Sequence, residues 1–412
     1  MKLDEPQLIT LPNGLRLVYI HCTGAASGIF GITVGTGSAN EQSGQFGLAH
    51  LVEHTIFKGT LRRRPWHIIN RMEAVGGELN AFTTKEETTV YTIFPRGNAN
   101  RAIELIADLA INSQFPAKEL DKEREVVIDE INSYRDMPSE AIFDDFEDLV
   151  YTGTPLGHNI LGSTDSVLRL GSEDCRRFLQ KYYTARNSVL FYSGPQSLER
   201  TATMAAKHFE GLPAGDVDST PLSSHFKTAN NELPIEGLHQ SHTVLGIEVD
   251  NIFGLGRYAD GLFSNLIGGP GMNSLLNIEL RERRGLVYTV ESSITRFTTT
   301  GLLTVYFGCD PDDTRRCLDL CRSTALRLAE TPSAQLEQLL TKAKRQWLGQ
   351  LAIGSENREN RIMGAARAVL FTGQTVPDNI SIERIKAVDA QQIKDRALRL
   401  TSPATLTYHP IL

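Results

Sequence analysis

Apolar positions in the first half of the chain switch repeatedly between two periods. Short apolar runs, some alternating and some continuous, predict strands near residues 7–11, 15–21, 28–35, 79–83, 88–95 and 187–193. Recurrence every three to four residues predicts helices near 45–58, 64–75, 98–113, 117–135, 139–149, 172–183 and 197–209. In the 45–58 helix, Leu48, Leu51, Val52, Thr55 and Ile56 form the apolar stripe. Gly44 to Gly47 precede it, and Lys58-Gly59 supplies a last-turn cation and a glycine stop. The 64–75 helix has Pro65 in its first turn and Gly76-Gly77 past its end.

From Gly211 to Asn231 the periodicity fades into turn-rich sequence, which reads as an interdomain linker. Beyond it the earlier order returns. The strand Thr88–Pro95 leads into a helix from Asn98 to Ala110, and Gly301–Gly308 leads into a helix from Pro311 to Ala329 in the same way. Phe94 and Phe307 hold matching places, 213 residues apart. A helix–helix–strand–strand–helix order surrounds both. The expected fold class is therefore α+β, with two domains of common topology, each an antiparallel or mixed sheet with helices packed on it. The expected division is residues 1–212, a linker at 213–232, and a second domain at 233–412.

Composition agrees. A chain of 412 residues exceeds one ordinary domain, and 41% hydrophobic with 22% charged residues is the make-up of a globular protein. A formal net charge of −7 argues against nucleic acid as the main partner. No stretch approaches the ~18 uninterrupted apolar residues of a membrane span. The opening Met1-Lys2-Leu3-Asp4-Glu5-Pro6 lacks the apolar core of a signal peptide. Cys22, Cys175, Cys309, Cys317 and Cys321 are odd in number, scattered and free of C-x-x-C, so reduced structural thiols and a cytoplasmic location are expected.

The chemistry concentrates at His50-Leu51-Val52-Glu53-His54. Histidines four apart on a helix project from one face, a turn from each other, and both can reach one metal ion. With Glu53 this is the H-x-x-E-H order of inverzincins, which suggests zinc-activated water attacking a peptide carbonyl with Glu53 carrying the proton. Polar groups on an apolar helix are costly without partners, and a metal would supply them. A third ligand is needed. The helix after Pro116 carries Glu123 and Glu130, seven apart and so on one face, with Val126, Val127 and Ile131 on the adjoining apolar face. Spacing alone leaves both carboxylates as candidates.

His50–His54, followed by Glu130 within Lys122-Glu123-Arg124-Glu125-Val126-Val127-Ile128-Asp129-Glu130-Ile131, closely resembles the pitrilysin family. That family includes insulin-degrading enzyme and the β subunit of mitochondrial processing peptidase. Leu11–Val18 resembles the family's opening strand pair, and Gly76–Thr83 its substrate-binding edge strand. Pro155–Gly162 resembles a family loop that more often has arginine at the position of His158, and Leu280–Tyr288 a signature of the second half. The resemblance implies His50, His54 and Glu130 as zinc ligands, Glu53 as general base, and Glu123 as an outer carboxylate that orients a histidine. Three protein ligands leave the position for water that a catalytic site requires.

The resemblance also implies how a peptide is held. Asn80 and Ala81 lie on a strand edge that pairs with an extended chain, Asn80 bonding to it and Ala81 leaving room. Tyr288 would stabilise the oxyanion and Arg281 bind a peptide carbonyl. Arg283 and Arg284 rival Arg281 on charge, and only the seven-residue spacing to Tyr288 favours Arg281. Gly268-Gly269-Pro270-Gly271 is a turn and not a phosphate loop, since no Lys-Ser/Thr follows. The second-half helix starting near Gly256 has Arg257, Tyr258, Asp260 and Asn265 but no histidine, so one zinc per chain is expected. The functional expectation is a zinc endopeptidase acting on peptides or unfolded segments in a closed chamber. The alternative is a non-catalytic peptide-binding or structural subunit. Because one chain carries both the zinc motif and the Arg/Tyr pair, a homodimeric clamshell is expected, each chain forming half, with a heterodimer containing a zinc-less paralogue as the alternative.

Overall fold

The computed structural model describes residues 4–215 and 222–411. They form two compact units. The first is built on a sheet of β1 (Gln7–Thr10), β2 (Arg16–His21), β3 (Ser27–Val34), β4 (Glu78–Thr83), β5 (Thr88–Pro95) and β6 (Ser188–Gly194). Its order is β1-β2-β6-β3-β5-β4. β2 and β6 run parallel and every other neighbouring pair is antiparallel, so the sheet is mixed. Side chains alternate across the pleat. Leu17, Tyr19, Phe30 and Ile32 face the main core with helical Leu51, Val52 and Ile103 and with Phe209. Val18, Ile20, Ile29 and Phe191 face the other way, onto Ile362, Ala366 and Val369 of the helix Arg358–Thr372. A strand covered on both faces reads as a continuous apolar run, as Val189-Leu190-Phe191-Tyr192 does.

The second unit contains β7 (Asn230–Ile235), β8 (Ser241–Val249), β9 (Val287–Arg296), β10 (Gly301–Cys309) and β11 (Ala404–Pro410), ordered β7-β11-β8-β10-β9. Only β7 and β11 are parallel. With β1 set aside, this is the order and strand sense of the first sheet. The helices Leu48–Thr55, Pro65–Glu73 and Ala99–Asn112 are answered by Arg257–Gly268, a π-helical turn at Asn277–Glu282, and Thr314–Glu330. The internal repeat is thus a duplication of topology.

The units do not follow a single cut at the linker. Residues within Ser133–Gly157 pack with the second unit and those within Gly354–Pro377 with the first. Each segment contains a helix that covers the second apolar face of a sheet from the other half of the sequence. Helix Pro138–Val150 lies so close to β8 that a Cβ on Gly246 would stand 2.4 Å from the Phe146 ring, which requires glycine there. The boundaries 1–212, 213–232 and 233–412 therefore miss this exchange, because periodicity shows that a helix is amphipathic and not which sheet it covers. Residues 216–221 of the expected linker lie outside the described residues.

Smaller differences are local. The metal-motif helix is Leu48–Thr55, shorter than 45–58, and a short helix at Thr164–Arg169, capped by Ser163, was not expected. All five cysteines are buried and free of disulfides. No described helix is long and apolar enough to cross a membrane.

Candidate metal centre

The Leu48–Thr55 helix begins at a backbone position that only glycine suits. Gly47 has φ of 94°, and a Cβ there would lie 2.6 Å from the Leu161 carbonyl oxygen. Leu48, Ala49, Leu51, Val52 and Thr55 are buried, which fixes the rotation of the helix and turns His50 and His54 toward the helix Ala117–Arg135. That second helix is anchored by Leu120, Val127 and Ile131. Val126 is 48% exposed and does not share the buried face expected of it, being one helical step of about 100° from Val127.

The two helices bring three ligand atoms together. Glu130 Oε2 lies 3.7 Å from His50 Nε2 and 3.3 Å from His54 Nε2, and the three atoms fall within 4.8 Å of one another. Ligand–zinc bonds of about 2.0–2.1 Å in a tetrahedron give ligand–ligand edges of roughly 3.3–3.4 Å, close to the two separations from Glu130 to the histidines. The three residues form the one such cluster among the described residues. Burial, with a further push from His54, takes His50 down to about 3, so its imidazole is neutral, the form in which it can ligate. His50 Nδ1 is buried without a hydrogen-bond partner. A half-satisfied buried ring is unfavourable, and a cation at Nε2 would offset that cost.

Glu123 does not reach both rings. Its Oε2 faces His54 Nδ1 at 3.5 Å and its Oε1 pairs with Lys58 Nζ at 2.7 Å. Glu53, on the same helix as the histidines, stays outside the three-atom cluster. Burial pushes its carboxyl above the ordinary range and Glu130 pushes the same way, while the Thr83 side chain and His54 draw it down. Tyr183, fully buried with an unpartnered hydroxyl, is raised by burial and then by the charge of Glu53. Lys58 was read from sequence only as a helix-end cation, and neither Thr83 nor Tyr183 was given a role of its own. Thr83 closes the Gly76–Thr83 motif, whereas a tyrosine some 130 residues from Glu53 left no local signal.

Asn80 and Ala81 lie on β4, the terminal strand of its sheet, opposite Tyr91 and Val90 of β5. The other edge of β4 has no strand neighbour among the described residues. Arg281 and Tyr288 belong to the second unit. Tyr288 is 82% exposed, and the Arg281 guanidinium carbon lies 5.6 Å from its ring centre. Arg283 and Arg284 are bound to buried Glu279 at 3.0 and 2.7 Å, which leaves Arg281 as the arginine beside Tyr288. The helix Arg257–Gly268 matches the Leu48–Thr55 helix in position but has no histidine, and its Asp260 is held by Arg396 at 2.8 Å.

The insulinase (peptidase family M16) model matches residues 16–164, and the peptidase M16 inactive domain model matches residues 169–346. An uncharacterized zinc protease of Mycobacterium tuberculosis is 31% identical over 402 residues, covering 96% of this chain and 91% of the relative. The uncharacterized zinc protease YmxG of Bacillus subtilis is 27% identical over 407 residues, covering 96% and 98%. Among solved structures, a protease from Helicobacter pylori aligns with a TM-score of 0.87 at 21% identity, over 99% of this chain and 100% of that one. A peptidase M16 inactive domain from Pseudomonas fluorescens aligns at 0.86 and 17%, over 99% and 98%. At those identities the structural likeness shows the fold.

Proposed function

The chain belongs to the insulinase family of peptidases, M16, and from that premise we propose that it is a zinc-dependent endopeptidase. The observation that carries this reading is the convergence of His50 Nε2, His54 Nε2 and Glu130 Oε2, with Glu53 beside them and outside the ligand set. His50, His54 and Glu130 would hold the zinc. When bound, zinc polarises a carbonyl and lowers the pKa of water. Glu53 takes the proton from the water whose oxygen bonds to the peptide carbon. It then delivers that proton to the amide nitrogen as the C–N bond breaks. Glu123 orients His54 through Nδ1. The free edge of β4 pairs with an extended peptide near Asn80 and Ala81, which favours peptides and unfolded segments over folded proteins. Tyr288 donates its hydroxyl to the developing oxyanion and Arg281 binds a substrate carbonyl.

Metal analysis with a mass-spectrometric digest of a mixed peptide library tests this reading. About one zinc per chain and internal cleavages that stop on chelation and return with zinc are expected. A zinc-loaded protein that cleaves nothing in the library would count against catalysis and favour a peptide-binding subunit. Since one chain carries both the zinc-site residues and the Arg281/Tyr288 pair, we also propose a homodimer in which these units face each other across two copies. Size-exclusion with light scattering should find the active species near 91 kDa, twice the 45.6 kDa of one chain. An inactive monomer that gains activity only with a zinc-less second chain would replace the homodimer by a heterodimer.

A further inference from the structure

We propose that Glu41 and His158 are positioning residues, a buried strut that fixes where the Leu48–Thr55 helix begins and so where His50, Glu53 and His54 point. The Glu41 side chain is fully buried, 0% exposed. Its Oε1 accepts from the Ala49 amide at 2.7 Å and its Oε2 from the Gly47 amide at 2.9 Å. Amides at a helix start lack intrahelical partners and carry the positive end of the helix dipole, so one carboxylate satisfies two donors and meets a favourable field. The amide it grips at Ala49 is one residue before His50. In a helix of eight residues, too short to hold itself, the position of that amide sets the direction of every later side chain.

A buried carboxylate needs further compensation, and His158 provides it. Burial pushes Glu41 up, and His158, Ala49 and Gly47 draw it back. His158 Nε2 lies 3.2 Å from Glu41 Oε2 and 3.0 Å from the Ser38 carbonyl oxygen. Its ring stacks on Phe46, centroids 4.0 Å apart at 19°. Buried Lys85 donates to the His158 carbonyl, and a Cβ on Gly162 would stand 2.3 Å from the Phe46 carbonyl oxygen. Three segments thus meet at one buried node: the approach to the helix, the 158–162 loop, and the turn that follows β4. The strut ties the metal-binding helix to the same turn that ends the edge strand, so ligands and strand edge share one reference point.

The proposal rests on the zinc-site reading above, and its test separates the two. In the full chain, Glu41→Gln keeps size but turns an N–H toward one of its donors. It is expected to weaken zinc binding in a chelator competition by about tenfold to a hundredfold, with kcat reduced and KM little changed. In the metal-free protein, amide exchange should rise across residues 47–56 and not across the rest of the first unit. His158→Phe, which keeps the stack on Phe46 and lacks a donor, should act in the same direction. His158→Arg, which restores a donor, should bring zinc affinity back to within about threefold of the original. Unchanged zinc affinity and exchange in Glu41→Gln would overturn the strut. So would exchange that rises throughout the unit in step with its melting temperature. Should Glu41→Gln fail to fold, the contrast between His158→Phe and His158→Arg decides alone. If the unmodified chain binds no zinc, the functional reading fails, while exchange at 47–56 still tests the strut.

Discussion

Glutamine in place of Glu53 should leave zinc content unchanged and lower peptide hydrolysis on the order of a hundredfold or more, the size of a general-base contribution. The geometry separates these two properties. The three converging atoms belong to His50, His54 and Glu130, so zinc held there would not depend on Glu53. Its carboxyl is instead held up by burial and by Glu130, which favours a group that accepts a proton readily and gives it back. Glutamine has the same shape and cannot carry that proton. Turnover of a peptide found in the library digest, measured beside the metal content of the same preparation, gives the answer. Full turnover with full zinc would remove Glu53 from the mechanism. Zinc loss would make it a ligand and break the assignment of Glu130.

Much of this site was legible in the sequence because it is built from helix geometry. Residues four apart are displaced by about 40° round a helix, so His50 and His54 had to share a face wherever that helix lay. Residues seven apart are displaced by about 20°, and for that reason spacing left Glu123 and Glu130 equivalent. What separates them is the crossing of two helices, a tertiary property fixed by Leu120, Val127 and Ile131 on one and by Leu51, Val52 and Thr55 on the other. The same limit explains the exchanged helices. Pro138–Val150 was legible as a helix near 139–149 and Arg358–Thr372 was missed, and the partners of both lie in strands from the other half of the chain. Glu41 had no signal at all. A glutamate nine residues before His50 reads as a solvated loop charge until the fold buries it against Gly47, Ala49 and His158.

Glu130→Gln and Glu123→Gln form the sharpest contrast on the metal itself. The Glu130 side chain is 44% exposed, so its replacement costs the fold little, yet it removes the one anionic atom facing both imidazoles. Zinc binding should weaken by more than the roughly hundredfold that loss of an outer partner costs, because a neutral amide oxygen is a poor substitute for a carboxylate. Glu123 is 14% exposed and shared between Lys58 and His54. Its glutamine variant keeps an oxygen for one of them, so metal should remain while affinity or rate falls by about tenfold to a hundredfold. Zinc content after dialysis, read with the zinc-dependent rise in melting temperature, distinguishes the two. A ligand that binds only the folded state raises that temperature by an amount that grows with the logarithm of its concentration over its dissociation constant. The rise should vanish in Glu130→Gln and persist in Glu123→Gln. Equal loss in both would mean that the two carboxylates hold the metal together, and the open position that catalysis requires would then have to come from one of the histidines.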